Sequence, residues 1–207
     1  MFDIRQRVSG ASPELLACYR EVATSTLGHF TDLGAITDLT PLRHPTRLLG
    51  SALTVRIPHL DGSVIRQALE MAEPGDVLVI DVAGDERRAC WGELRTYAAL
   101  RKGLAGVVTS GRVTDTAELV RLGLPIYSRG SSPLTTRAQD LEGEVNVAVA
   151  IDGVAISPGD LIVGDDDGLF ALTPARAEAL LAPVLDKQAR EAERRRELMA
   201  AHPEWWR

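Results

Sequence analysis

The sequence is short of cysteine, short of basic charge and without a long apolar run. Its two cysteines, Cys18 and Cys90, stand among 207 residues and form no C-x-x-C pair. That is too few for a disulfide framework, so a reduced, cytoplasmic protein is expected. Lys and Arg number 23 against 29 Asp and Glu, a net charge of −6. Phosphate binding calls for a basic surplus, so nucleic acid is not the expected partner. No stretch approaches the roughly 18 apolar residues of a membrane helix, and a membrane is not expected either. The opening MFDIRQRVSG carries charge without an apolar h-region, so no signal peptide is expected. The four histidines, His29, His44, His59 and His202, are scattered without ligand spacing. A zinc site of His or Cys is therefore disfavoured, and a metal, if bound, should be a hard cation on oxygen ligands, Mg²⁺ or Mn²⁺.

What is present is enough apolar material for a core: hydrophobic residues are 45% and charged residues 25%. Ser12-Pro13-Glu14 opens a helix, with a cap, a first-turn proline and an acid at the positive end of the dipole. A second helical stretch is expected to take in Phe30 and Leu33 and stop at Gly34. Residues 49–57 alternate and read as a strand ended by Pro58. Residues 63–72 read as a helix. Residues 77–82 (VLVIDV) form a continuous apolar run, the mark of a strand covered on both faces. A helix over 93–102 closed by Gly103, a buried strand over 106–109, a helix over 116–122 closed by Gly123 and a short strand over 125–128 follow. That alternation predicts parallel βαβ units. Beyond Pro133 the pattern becomes antiparallel. One strand is expected over 144–151, then short ones over 154–156, 161–163 and 168–172, separated by turn residues. Thr173-Pro174 caps a long final helix, and Trp205 and Trp206 lie in the tail, where a neighbouring subunit is one place to bury them. No repeat or domain boundary is visible, so residues 1–207 read as a single domain, with the final helix and tail at 174–207.

Ligands of open parallel sheets bind beyond the carboxyl ends of the strands. Three loops lie there. The first holds Asp81, Asp85, Arg87 and Arg88 and runs into Trp91-Gly92-Glu93-Leu94-Arg95. The second is Ser110-Gly-Arg-Val-Thr-Asp115, and the third is Arg129-Gly-Ser-Ser-Pro133. Asp115-Thr-Ala-Glu118 has capping-box spacing, so Asp115 reads first as a helix cap, with a ligand role as the alternative. Gly92-Glu93 is a turn and first-turn acid, or a set of amides for a carboxylate. Cys90 has no His close in sequence to activate it. No lysine falls in these loops, because Lys102 ends a helix and Lys187 is far downstream, which disfavours an imine route.

The ordered stretches AEPGDVLVIDVAGDERRACWGEL, AGVVTSGRVTDTAEL, GLPIYSRGSSP and ISPGDLIVGDDDG resemble the RraA-like family over roughly residues 20–185. That family includes 4-hydroxy-4-methyl-2-oxoglutarate and 4-carboxy-4-hydroxy-2-oxoadipate aldolases and the regulator of ribonuclease activity. The resemblance implies an α/β fold of β/β/α swivelling type, with a parallel βαβ core, antiparallel strands and a long C-terminal helix. It implies homotrimers or hexamers and a divalent-metal site at the subunit interface. The implied reaction is cleavage of a C–C bond beside a 2-oxo acid, releasing pyruvate. Asp115 matches the family's metal-binding Asp, and Gly92, Glu93, Leu94 and Arg95 match its substrate loop. The family arginine that grips the pyruvate carboxylate aligns with Thr114, and Ser110 stands where the family usually has Asp. Losing that arginine would remove about 2–4 kcal/mol of transition-state binding, roughly a 30- to 1000-fold loss in rate. Arg112, two residues before Thr114, or Arg95 is expected to take over the anion. The expected mechanism uses Asp115 to hold Mg²⁺ or Mn²⁺, the turn at Gly92–Leu94 to orient the carboxylate, and Glu93 or an ordered water as base. Further metal ligands are sought on a neighbouring subunit's Glu191, Glu193 or Glu197. The rival readings are a binding or regulatory protein without C–C cleavage, and an enzyme of another reaction on the same metal-enolate platform.

Overall fold

Two apolar patterns, period two in the strands and one-sided stripes in the helices, sort the side chains into layers. The computed structural model describes residues 1–58 and 60–206, apart from the Trp206 side chain. His59 and the Trp206 indole thus lie outside the described residues. The chain runs β1 (Phe2–Ile4), α1 (Pro13–Tyr19), α2 (Thr24–Gly28), β2 (Ala35–Ile36), β3 (Thr40–Pro41), β4 (Leu48–Arg56), α3 (Ile65–Met71) and β5 (Asp76–Asp81). It continues through β6 (Ala89–Trp91), α4 (Glu93–Lys102), β7 (Gly106–Thr109), β8 (Arg112–Val113), α5 (Thr116–Leu122) and β9 (Ile126–Ser128). The last part is β10 (Gly143–Val145), β11 (Val149–Ile151), β12 (Val154–Ile156), β13 (Leu161–Asp165), β14 (Gly168–Leu172) and α6 (Pro174–Ala201).

The main sheet has ten strands and follows the order β2-β14-β13-β4-β5-β7-β9-β3. Its centre, β4-β5-β7-β9, is parallel, and β13, β14 and β10 join antiparallel. Alternate residues of the central strands face opposite layers. Leu53, Val55, Leu78 and Ile80 pack with Ile65 and Ala68 of α3, Ala99 of α4 and Leu119 of α5. Ala52, Val77, Val79 and Val108 pack with Val149, Ile151 and Ile156 of the β11–β12 ribbon. A third cluster seats α1, α2 and α6 on Leu161, Val163, Phe170 and Leu172. The result is a mixed α/β domain in β/β/α layers. Each fully buried Leu, Ile or Val contributes about 1.5–3 kcal/mol, so this two-sided burial is what holds the central strands. No helix among the described residues is long and apolar enough to cross a membrane.

The helix ends follow the sequence. Ser12 Oγ accepts the Leu15 N–H at 3.2 Å, and Thr173 Oγ1 accepts that of Arg176 at 3.3 Å. Gly103 closes α4 in the left-handed conformation. Two expectations are corrected. The second helix stops at Gly28, so Phe30 and Leu33 fall outside it, and both stay exposed. The strand expected over 144–151 is two strands. Asn146 takes φ 58 between them, and its N–H bonds Thr54 O at 2.9 Å. That break sends β10 to the β4 edge and β11 into the covering ribbon. In the tail, Trp205 stacks on His202 with centroids 4.1 Å apart and remains 59% exposed.

Asp61, 3% exposed, ties down the loop over residues 139–142. Its Oδ1 accepts from Ser63 N and Oγ and from Gln139 N, and its Oδ2 from Leu141 N and Glu142 N. Burial alone would push this carboxyl up, but the hydroxyl and amide donors of Ser63, Leu141 and Gln139 outweigh it and hold the pKa well below the carboxylate range. A lowered folded pKa contributes stability above the unfolded value of about 3.9, lost as pH falls through the folded value. Asp61→Asn should therefore cost about 2–4 kcal/mol near pH 7. In urea denaturation from pH 7 to 3, its gap to wild type should narrow progressively below about pH 4. A gap that stays constant would mean the carboxylate charge is not what holds the loop.

Candidate active site

The site is built where the parallel strands end. The loop after β5 and the loop after β7 each form a short strand, β6 and β8, and the two pair parallel. Thr114 N–H bonds Trp91 O at 2.9 Å, and Arg112 N–H bonds Arg88 O at 3.1 Å. The third loop joins on both sides: Val113 N–H bonds Gly130 O, and Thr136 N–H bonds Ala89 O. Ser110 Oγ accepts the Val82 N–H at 3.0 Å, tying the first loop to the second. This knitting lays Gly92 against Thr114 and Asp115.

Asp115 does not cap its own helix. It sits at the N-cap of α5 with φ 56 and ψ 38, and its side chain makes no capping bond there. Oδ2 instead accepts the Glu93 N–H at 3.0 Å, the first amide of α4. A left-handed non-glycine residue is an uncommon conformation that concentrates at functional sites. Gly92 is extended, so its backbone suits any residue, but a Cβ there would stand 2.6 Å from Asp115 Oδ2 and 2.8 Å from Thr114 Cγ2. Glycine is required by that close approach. Behind it, Trp91 is 1% exposed and donates Nε1–H to Thr96 Oγ1 at 2.8 Å, which fixes the first turn of α4.

A cavity of about 200 Å³ opens in front, lined by residues 89–95, Thr114, Asp115, Thr135 and Thr136. Gly92, Glu93, Leu94, Arg95, Thr114 and Asp115 are thus brought together as expected. Arg112 is not among the lining residues. Its Nε–H donates to Glu86 O at 2.7 Å, and Nη1 donates to Arg129 O at 3.0 Å and Ser131 O at 3.4 Å. Three carbonyls from two loops hold it. Arg95 does line the cavity, donating to Cys90 O and, at 3.0 Å, to Gly62 O. Burial pushes its pKa down, yet a guanidinium stays charged. Among the described residues no carboxylate pairs with it, so it is a desolvated cation without a counter-charge. Cys90 is buried against Thr109 Oγ1 at 3.1 Å, and burial raises its thiol pKa, the reverse of an activated nucleophile. Thr135 and Thr136 were not legible as site residues. They lie two and three residues past Pro133, and only the pairing of their backbone with Ala89 brings them in.

The donor set suits one kind of metal. The partner of Asp115 Oδ1 among the described residues is the Thr114 hydroxyl, at 3.4 Å. Among the described residues no three His, Cys, Asp or Glu side chains converge on one point. A pair of carboxylate residues, Asp115 and Glu93, among hydroxyls does not make a zinc site, which takes three or four protein ligands. It does suit Mg²⁺ or Mn²⁺, since Mg²⁺ keeps several waters and takes one or two carboxylates. Glu191, Glu193 and Glu197 are engaged within α6, by Lys187, Arg196 and Arg194.

Layers and site together define a β/β/α protein with a desolvated arginine and two acidic residues, Glu93 and Asp115, around one cavity at the strand ends. The family profile described as RraA-like, Aldolase/RraA, matches residues 23–170. A protein of Halalkalibacterium halodurans, provisionally named 4-hydroxy-4-methyl-2-oxoglutarate aldolase, is 33% identical over 193 residues, 91% of this chain and 90% of its own length. The 4-hydroxy-4-methyl-2-oxoglutarate aldolase of Thermus thermophilus is 35% identical over 126 residues, 61% of this chain and 76% of its own. The solved structure of Streptomyces coelicolor RraAS2, described as an unusual member of the RNase ES inhibitor RraA protein family, superposes with a TM-score of 0.80 at 28% identity, covering 91% of this chain and 98% of that one. The chain belongs to the RraA-like family. That family holds proteins named as aldolases, a lyase activity, and proteins named as RNase inhibitors.

The contact between Gly92 and Asp115 makes a prediction. Gly92→Ala should destabilise the protein by about 1–3 kcal/mol through overpacking. Combined with Asp115→Ala, its added cost in chemical denaturation should shrink, since one of the two groups the new methyl meets is gone. Strictly additive costs would show that the carboxylate does not press on Gly92.

Proposed function

We propose that this protein is a divalent-metal-dependent lyase that cleaves the C–C bond beside a 2-oxo acid, by retro-aldol cleavage or by decarboxylation of an oxaloacetate-like substrate. The observation that carries the reading is Arg95: a half-buried, unpaired guanidinium facing the same small cavity as Asp115. A desolvated charge without a partner is costly unless a ligand supplies one. A substrate carboxylate on Arg95, assisted by first-turn amides of α4 that have no carbonyl four residues back, meets that need. Arg95 thereby replaces the arginine that the family carries at Thr114. Asp115 would hold Mg²⁺ or Mn²⁺, which when bound would supply Lewis acidity at the 2-oxo group. Glu93, or a water it orders, takes the hydroxyl proton of a 4-hydroxy substrate. The bond to C3 then breaks, its electron pair passes into the 2-oxo group, and a proton returned to C3 completes pyruvate. In decarboxylation CO₂ leaves instead and no base is needed. No lysine lines the cavity to offer an imine route. Arg112 positions the loops rather than touching the substrate.

We further propose that the enzyme acts in the cytoplasm as a homotrimer or hexamer. The exposed Leu94, Tyr97 and Leu100 of α4 and Val120 of α5 offer an apolar face beside the site. A second reading, binding or regulation without cleavage, is favoured by Thr114 itself and by the likeness to RraAS2.

Pyruvate release from oxaloacetate and from 4-hydroxy-4-methyl-2-oxoglutarate, with Mg²⁺ or Mn²⁺ and with EDTA, separates them. Release should require the metal and vanish in Asp115→Ala. Arg95→Met should lower kcat/KM by about 30- to 1000-fold, while Arg112→Ala should act mainly on stability. If wild type releases nothing and Thr114→Arg gains activity, the scaffold is intact and the native role is another one.

A further inference from the structure

A second cavity, of about 460 Å³, lies between α3 and α4 and shares Leu94 and Arg95 with the first. Its walls are largely apolar: Leu69, Leu94, Ala98 and Ala138 line it. Four cationic side chains, Arg66, Arg95, Arg101 and Lys102, line it too, against the two carboxylates of Glu70 and Asp140. Those cations are not equally committed. Arg66 Nη2 lies 3.6 Å from Asp140 Oδ1, and Lys102 Nζ donates to Glu70 O at 2.6 Å. Arg101 has no ion-pair or side-chain hydrogen-bond partner among the described residues. An apolar hollow with a free cation at its rim, joined to the carboxylate seat through a shared arginine, is out of place on a helix surface that only meets water.

We propose that this second cavity is a subsite for the distal part of the substrate. The chemical class it selects is a 2-oxo acid whose chain beyond the reacting bond is an extended apolar segment ending in a second carboxylate. The inference rests on the head-group reading given above. Two features commit it to a substrate tail rather than to another occupant. The cavity adjoins the small one at Leu94 and Arg95, which line both, and its uncommitted charge is positive, matched to an anion. The apolar walls would remove the segment's surface from water. Arg101 would take the terminal carboxylate at the exposed rim, where the pair is partly screened and adds less than Arg95 does.

Calorimetric titration of the full chain with Mg²⁺ present tests this with three probes. Pyruvate has the head alone, 2-oxooctanoate adds the apolar segment, and 2-oxosuberate adds the terminal carboxylate. Affinity should rise in that order, by about tenfold or more between pyruvate and 2-oxosuberate. Ala98 lines only the larger cavity. Ala98→Trp should therefore abolish the advantage of both longer probes and leave pyruvate unchanged. Arg101→Glu, at an exposed position that does not threaten folding, should remove only the advantage of 2-oxosuberate over 2-oxooctanoate. Equal affinity for the three probes, or variants without effect, would overturn the subsite while pyruvate binding kept the head-group reading. Binding of 2-oxosuberate that Arg101→Glu weakens, without any binding of pyruvate, would do the opposite. If a second copy of the chain covers the cavity, the longer probes gain nothing and the proposal falls.

Discussion

The constraint on which the rest depends is that β5 and β7 are covered on both faces. Their residues are buried throughout. Such strands offer no polar surface along their length, so polar groups collect where the strands stop. The loops there still need partners for their own backbone, because buried amides are rarely left unpaired. The chain meets that need by making β6 and β8 and pairing them with each other and with the third loop. The site is thus a by-product of backbone accounting: once Trp91 lies alongside Val113, Gly92 has nowhere to be except against Thr114 and Asp115.

Asp115 shows how that accounting turns a capping residue into something else. Its left-handed backbone carries the carboxylate away from α5 and onto the first amide of α4. One oxygen is used in holding the two loops together, and the other is left with a weak hydroxyl contact. A carboxylate with one anchored and one open oxygen has its direction set before any ligand arrives, which lowers the ordering cost of binding.

Much of this was legible in the sequence, and the rest was hidden for identifiable reasons. The buried strands at 77–82 and 106–109 and the helices closed by Gly103 and Gly123 could be read because local pattern and tertiary role agree. Strand 144–151 could not be divided, since its alternation is unbroken and only Asn146 turning to Thr54 divides it. Capping-box spacing at Asp115 was real as a pattern, but the competing acceptor need lay 22 residues away at Glu93. The same limit applies to the two arginines. Spacing along a strand put Arg112 and Thr114 on one face, yet the Glu86, Arg129 and Ser131 carbonyls, all distant in sequence, take its guanidinium. Thr135 and Thr136 carried no pattern at all and enter only through long-range pairing.

Thr114, standing where the family resemblance implies an arginine, bears on direction as much as on strength. Thr114 stands on the β8–α5 loop and Arg95 on the first turn of α4, so the two approach the cavity from different elements. A guanidinium on α4 faces a bound carboxylate from another side, and the remainder of the ligand must then leave the small cavity by another route. Arg95 also lines the larger cavity. On the proposed reading, moving the anion seat by one loop keeps the carboxylate bound while redirecting the chain attached to it. On that reading, a change of this kind alters which substrate fits without disturbing Asp115, so that Thr114 bears on specificity before it bears on activity.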